Sequence, residues 1–109
     1  MFNFLKGSGL SQDQAYNELQ TNPQIKVIDV RTRDEYRSGH IPNSLNVDVY
    51  GAFATNIAKV CPDHSQRIFI VCESGARASS AVSFMKKAGY TDVHSIGGMA
   101  SWRYSTTRK

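Results

Sequence analysis

A chain of 109 residues, 40% apolar and 20% charged, has material for one compact domain and excludes a multidomain assembly or a disordered polymer. Its net charge of +4 favours anionic partners through long-range attraction. The basic residues are scattered, apart from Arg103, Arg108 and Lys109, and no basic run is interleaved with aromatics, so the charge is expected on a solvated surface with no nucleic-acid partner.

The chain opens on MFNFLKGSGLS, an apolar run broken by Asn3 and by Lys6-Gly7 and too short for a signal-peptide core. No stretch approaches the roughly 20 apolar residues that span a bilayer. The expectation is a soluble, cytoplasmic protein with no membrane partner. Ser11 is a good N-cap and Gln14 stands at the capping-box position, which predicts a helix with Ala15 and Leu19 inward and Tyr16 more loosely so. Asn22-Pro23 ends it. Ile25 to Val30 is β-branched and nearly continuous, as in a strand buried on both faces. Thr32 offers a second N-cap with Glu35 three residues on, and Gly39 keeps that helix short. His40 to Asn43 reads as a turn and Leu45 to Val47 as a short strand. Tyr50 to Val60 carries Phe53, Ile57 and Val60 at helical spacing, closed by Cys61-Pro62-Asp63. Ile68 to Val71 is the strongest strand, and it runs straight into Cys72. Ala78 to Ala88 is a predicted helix with Gly89 as its C-cap. Val93 to Ile96 is the last strand, before Gly97-Gly98 and a short helix carrying Trp102. Strands alternate with helices throughout, which predicts an α/β domain over residues 1–109 with a mainly parallel sheet and helices on both faces.

Two cysteines, Cys61 and Cys72, are too few for a disulfide scaffold, and no metal-ligand spacing occurs. His40, His64 and His94 lie far apart and are expected on the surface or in loops. The segment that carries chemistry is Ile68 to Ser80. A buried strand ends at Cys72, a tight loop of small residues follows, and a helix begins near Arg77. Ligands bind at the carboxyl ends of strands in open α/β sheets. Gly75 frees the backbone to turn successive N–H groups inward, and these together with the helix N-terminus favour negative charge at the loop centre. Arg77 adds a cation or braces the loop. The combination raises the thiolate fraction of Cys72 and equally suits a persulfide anion.

The segment Cys72-Glu73-Ser74-Gly75-Ala76-Arg77 resembles the C-x-x-G-x-R active-site loop of rhodanese domains. Ile28-Asp29-Val30-Arg31, Glu35-Tyr36 and Gly39 to Ser44 are similar to the family's first signature, and Leu45 to Val47 to its continuation. Gly97-Gly98-Met99-Ala100-Ser101-Trp102 resembles the C-terminal signature G-G-x-x-x-W. The match runs over residues 10–104, in order. It implies a rhodanese-like sheet of about five parallel strands and a thiosulfate sulfurtransferase. Cys72 is the implied nucleophile: it takes a sulfane sulfur from a small anionic donor such as thiosulfate and passes it to cyanide, a thiol or a protein acceptor. No metal or organic cofactor is implied, and nothing requires more than a monomer.

Glu73, Ser74, Gly75, Ala76 and Arg77 are the candidate substrate-binding residues, with Arg31 pointing to the same rim from the preceding strand. Asp29 and Glu35 are expected to be structural, and Trp102 and Tyr36 to be core aromatics. Cys61 is expected to be an incidental loop cysteine rather than a resolving thiol. Glu73 beside the loop is expected to weaken use of a dianionic donor. Two alternatives stay open. One is a non-catalytic or sulfur-relay module of the same type. The other is a phosphatase or arsenate reductase, whose C-x5-R loop is longer than the four residues between Cys72 and Arg77.

Overall fold

Both capping boxes form and start the helices where the sequence places them. Ser11 Oγ accepts the Gln14 N–H at 3.1 Å and Gln14 Oε1 accepts the Ser11 N–H at 3.2 Å, opening α1 (Gln12–Thr21). Thr32 and Glu35 repeat the exchange at α2 (Arg33–Arg37). The structure, a computed structural model, describes residues 9–109. Most of the N-terminal run from which a leader sequence is discounted therefore lies outside the described residues.

Strands β1 (Lys26–Asp29), β2 (Leu45–Asn46), β3 (Ile68–Cys72) and β4 (Val93–Gly98) form one parallel sheet in the order β2-β1-β3-β4. Helices α3 (Phe53–Val60) and α4 (Ala76–Lys87) complete the alternation, and a 3-10 turn at Met99–Ser101 follows β4. All five residues of β3 are buried, so its side chains alternate between two dry faces. Ile68, Ile70 and Cys72 join Phe53, Ile57, Ala81, Val82 and Met85 of α3 and α4 on one side. Phe69 and Val71 join Ala15 of α1 and Ile96 on the other, with Leu19, Met99 and Trp102 packed against them. Helices therefore cover both faces, as the unbroken apolar strands require.

Several expectations are corrected in detail. The sheet has four strands among the described residues, not five. At the fifth position the described residues make a single parallel bridge, Gly9 to Ser95, before Ser11 opens α1. The helix expected from Ala78 begins at Ala76, because Gly75 takes the turn and frees the next residue to be helical. Trp102 sits at the end of a 3-10 turn rather than within a helix. His40 is not a surface residue: it is 3% exposed, stacked on Tyr36, with Nδ1 2.7 Å from the Tyr36 carbonyl. Cys61 is not an incidental loop residue but a fully buried core residue at the end of α3.

The end of β4 lies hard against the start of the loop after β3. A Cβ on Gly98 would sit 2.1 Å from the Glu73 carbonyl oxygen and 2.8 Å from the Ser74 Cα. Backbone cannot yield as a side chain can, so Gly98→Ala should destabilise the fold by about 3 kcal/mol, the upper end for overpacking. Urea unfolding measures this, and an unchanged midpoint would show that the two segments are not in forced contact.

Candidate active site

The sheet has a crevice built into its winding. From β1 the chain moves outward to β2, then returns past β1 to lay down β3 on the other side. The carboxyl ends of β1 and β3 therefore mark the switch point, where α/β sheets open a ligand site. β1 ends at Asp29, just before Arg31, and β3 ends at Cys72.

Cys72 faces the core by strict alternation and has no exposed surface. The chain then turns sharply. Gly75 has φ +106°, in the left-handed region that disfavours side chains, and α4 starts at the next residue. This turn folds the backbone back over the sulfur. Cys72 Sγ accepts the Gly75 N–H at 2.9 Å and the Ala78 N–H at 3.3 Å. Both donors belong to the beginning of α4, whose unpaired N–H groups favour an anion. Both N–H groups point at the sulfur, so the loop presents positive partial charge to it.

Two arginine forks brace this loop. Arg77 donates to both Glu35 oxygens, at 2.7 and 2.9 Å, so α4 is clamped to α2. The Arg77 hydrogen bond pulls the Glu35 carboxyl from its ordinary 4.5 down to about 2, and Glu35 in turn holds the guanidinium above its usual value. The Arg77 guanidinium also stands 5.9 Å from the ring centre of the exposed Tyr50. Arg31, only 3% exposed, donates through Nε and Nη2 to Asp29, through Nη2 to the Gly39 carbonyl at 2.8 Å, and through Nη1 to Glu73 at 3.1 Å. Asp29 Oδ1 also accepts the Arg31 N–H, and Asn46 ties the carbonyls of both residues.

The structure thus gathers the expected residues into one rim and separates their surroundings. Ser74 and Ala76 are exposed, Gly75 and Arg77 are half-buried, and Glu73 keeps 46% of its side chain exposed. Arg31 reaches the loop, but its guanidinium is occupied by Asp29, Gly39 and Glu73, so it meets the rim as a brace. Glu35 is both a helix cap and an ion-pair partner. Beside the loop, Val49, Tyr50, Ala76, Arg77 and Ser80 line a cavity of about 250 Å³. Among the described residues no cluster of three or more histidine, cysteine or acidic side chains could hold a metal ion.

Other supports escape a reading of the sequence. Gln12 at the start of α1 donates to the carbonyls of Ile96 and Gly98, at 3.0 and 2.9 Å, and so fixes the turn behind the loop. The Ala100 N–H donates to the Glu73 carbonyl at 3.0 Å. No local signal marks Gln12, which meets partners more than eighty residues away.

A family model, the rhodanese-like domain, matches residues 11–105. The chain belongs to this family. It is 35% identical over 78 residues to the thiosulfate sulfurtransferase GlpE of Pseudomonas savastanoi, covering 71% of each chain. It is 30% identical over 95 residues to GlpE of Pseudoalteromonas translucida, covering 84% of this chain and 86% of the other. The fold is similar to the rhodanese-like domain of an Anabaena protein, with TM-score 0.79, 23% identity, and coverage of 92% of this chain and 78% of that one. The Gly-Gly pair of this rhodanese-like chain now has a physical account. Gly97 takes φ +83°, and Gly98 leaves room for the loop to close over β4.

The Glu35–Arg77 clamp has a pH signature. Because folding depresses the Glu35 value, its stabilisation is present above about 4.5 and is lost as pH falls toward about 2. Glu35→Gln should be less stable than wild type at pH 7, and the gap should narrow steadily as unfolding is repeated from pH 5 to pH 2. A gap that stays constant with pH would mean that the carboxylate charge contributes nothing.

Proposed function

We propose that this protein is a sulfurtransferase that works through a persulfide on Cys72. The carrying observation is a strand-end sulfur that accepts two backbone N–H bonds inside a loop with four residues between Cys72 and Arg77. In the first half-reaction the Cys72 thiolate attacks the outer sulfur of a sulfane donor such as thiosulfate. The donor S–S bond breaks, sulfite leaves with its electron pair, and a Cys72–S–S⁻ persulfide remains. In the second, cyanide or an acceptor thiolate attacks the outer sulfur and the Cys72 thiolate is released. This is covalent catalysis in two steps with ping-pong kinetics.

The Gly75 and Ala78 N–H groups act on the reacting sulfur in both states. They hold the resting thiolate and receive it again when the sulfur is passed on. Arg77, its charge offset by Glu35, fixes the shape of the loop's mouth, where an anionic donor approaches. Cys72 is buried, so the loop must open to admit the donor, and the persulfide then adds about 2 Å of reach toward the acceptor. The small N–H ring suits one sulfur atom better than a phosphate group, which supports sulfur transfer over phosphate-ester or arsenate chemistry.

Intact-mass analysis after addition of thiosulfate tests the proposal. Wild type should gain ~32 Da, one sulfur, on Cys72, and lose it on addition of cyanide with release of thiocyanate. Cys72→Ser should gain nothing. A wild-type protein that accepts sulfur from no sulfane donor would sink the assignment, and loading without turnover would leave a relay role in its place.

Glu73 tunes the donor. Its carboxylate is half-exposed and paired with Arg31, so its repulsion of a dianion is partly neutralised and screened. Glu73→Gln should raise kcat/KM for thiosulfate by about two- to fivefold, the effect of a partly screened charge. No gain would show that the side chain does not act on the donor.

A further inference from the structure

A second charged cavity lies behind α2, away from the cysteine loop. It has a volume of about 420 Å³ and is lined by Arg33, Tyr36, Arg37, His40, Asn46, Arg108 and Lys109. Four of these residues have cationic side chains and none has a carboxylate side chain. Arg33 and Arg37 stand four residues apart on one face of α2, a like-charge spacing that disfavours the helix. Neither guanidinium has a hydrogen bond or ion pair among the described residues. The other two cations arrive from the far end of the chain. The His40 N–H donates to the Thr107 carbonyl at 2.9 Å and the Thr107 N–H to the His40 carbonyl at 2.8 Å. Arg108 Nε donates to the Ser38 carbonyl at 3.3 Å, which holds its side chain against the end of α2.

His40 supplies an independent sign of a ligand. Its ring is 3% exposed and stacked on Tyr36 with centroids 3.6 Å apart. A carbonyl only accepts, so the 2.7 Å contact with the Tyr36 oxygen puts the proton on Nδ1. Nε2 then has no partner among the described residues, although a buried ring nitrogen normally finds one. The same ring lines the cationic cavity.

We infer that this cavity is a binding site for a small phosphate-bearing molecule, distinct from the sulfur-transfer site. A phosphate group brings close to two negative charges and three acceptor oxygens. The acceptor oxygens match the guanidinium forks of Arg33 and Arg37, while Nε2, an acceptor in this tautomer, takes a P–OH or a hydroxyl of the ligand. A single carboxylate would leave most of the cationic charge uncompensated. The volume exceeds that of a bare phosphate and leaves space for an organic portion or a second phosphoryl group. Tyr36 and the imidazole offer a flat stacked wall beside it.

Inorganic pyrophosphate is the probe, titrated at constant ionic strength by calorimetry and by NMR of the His40 ring. One saturable site that shifts the His40 ring resonances is expected. Arg33→Gln/Arg37→Gln changes only exposed side chains, so it should stay folded and keep its sulfur loading while weakening pyrophosphate about tenfold or more. Affinity unchanged within twofold in that variant would overturn the site, and so would His40 resonances that follow only the salt. Citrate serves as the carboxylate rival. If it binds as tightly as pyrophosphate, the phosphate assignment falls.

Discussion

A sulfur with no exposed surface has to find its hydrogen bonds within the protein, and at Cys72 it finds them in the backbone. Gly75 and Ala78 turn their N–H groups onto Sγ because the chain reverses at Gly75 and winds at once into α4. Helix starts leave such donors unpaired, so an anion at this point meets needs on both sides. Most of the surrounding architecture can be understood as what keeps this turn in place. β3 must be buried on both faces to deliver the cysteine inward. Gly98 must lack a side chain so that Glu73 can lie on β4.

The bracing is charged, and its placement explains why it is useful. A buried ion pair is a poor source of net stability because desolvation offsets the attraction. It is a good source of fixed geometry, because a two-pronged arginine fork accepts few orientations. Arg31 with Asp29 ties the end of β1 to Glu73, and Arg77 with Glu35 ties α4 to α2. The loop is therefore held from both flanks by forks, while its own residues stay small. Cys61 marks the contrast. It shares the same core as Cys72 but has its backbone carbonyl capped by Tyr90, and burial pushes its thiol up, away from the reactive form.

Local patterns were legible in the sequence wherever the physics is local. The Ser11–Gln14 and Thr32–Glu35 boxes needed only three residues of spacing. The apolar runs at Ile25 to Val30 and Ile68 to Val71 read as buried strands, and the loop from Cys72 to Arg77 as its own turn. The misreadings occurred where a distant segment decides. His40 lies in a loop, as expected, but it is buried rather than on the surface, and the tail pairs with its backbone at Thr107. The fifth strand that the family resemblance implies is, among the described residues, only the Gly9–Ser95 bridge.

The sequence by itself determined the chemistry available to this protein: a cysteine at a strand end, a permissive glycine, and four residues before an arginine. Those properties follow from residue types and short spacings, which act before any long-range contact forms. Only the tertiary structure decided how the charges are shared. It bound Arg31 to Asp29, Gly39 and Glu73, gave Arg77 to Glu35, and left Arg33 and Arg37 without partners among the described residues, beside a buried imidazole. Charge pairing depends on separations of a few ångströms between groups far apart in the chain, and the winding of the sheet sets those separations.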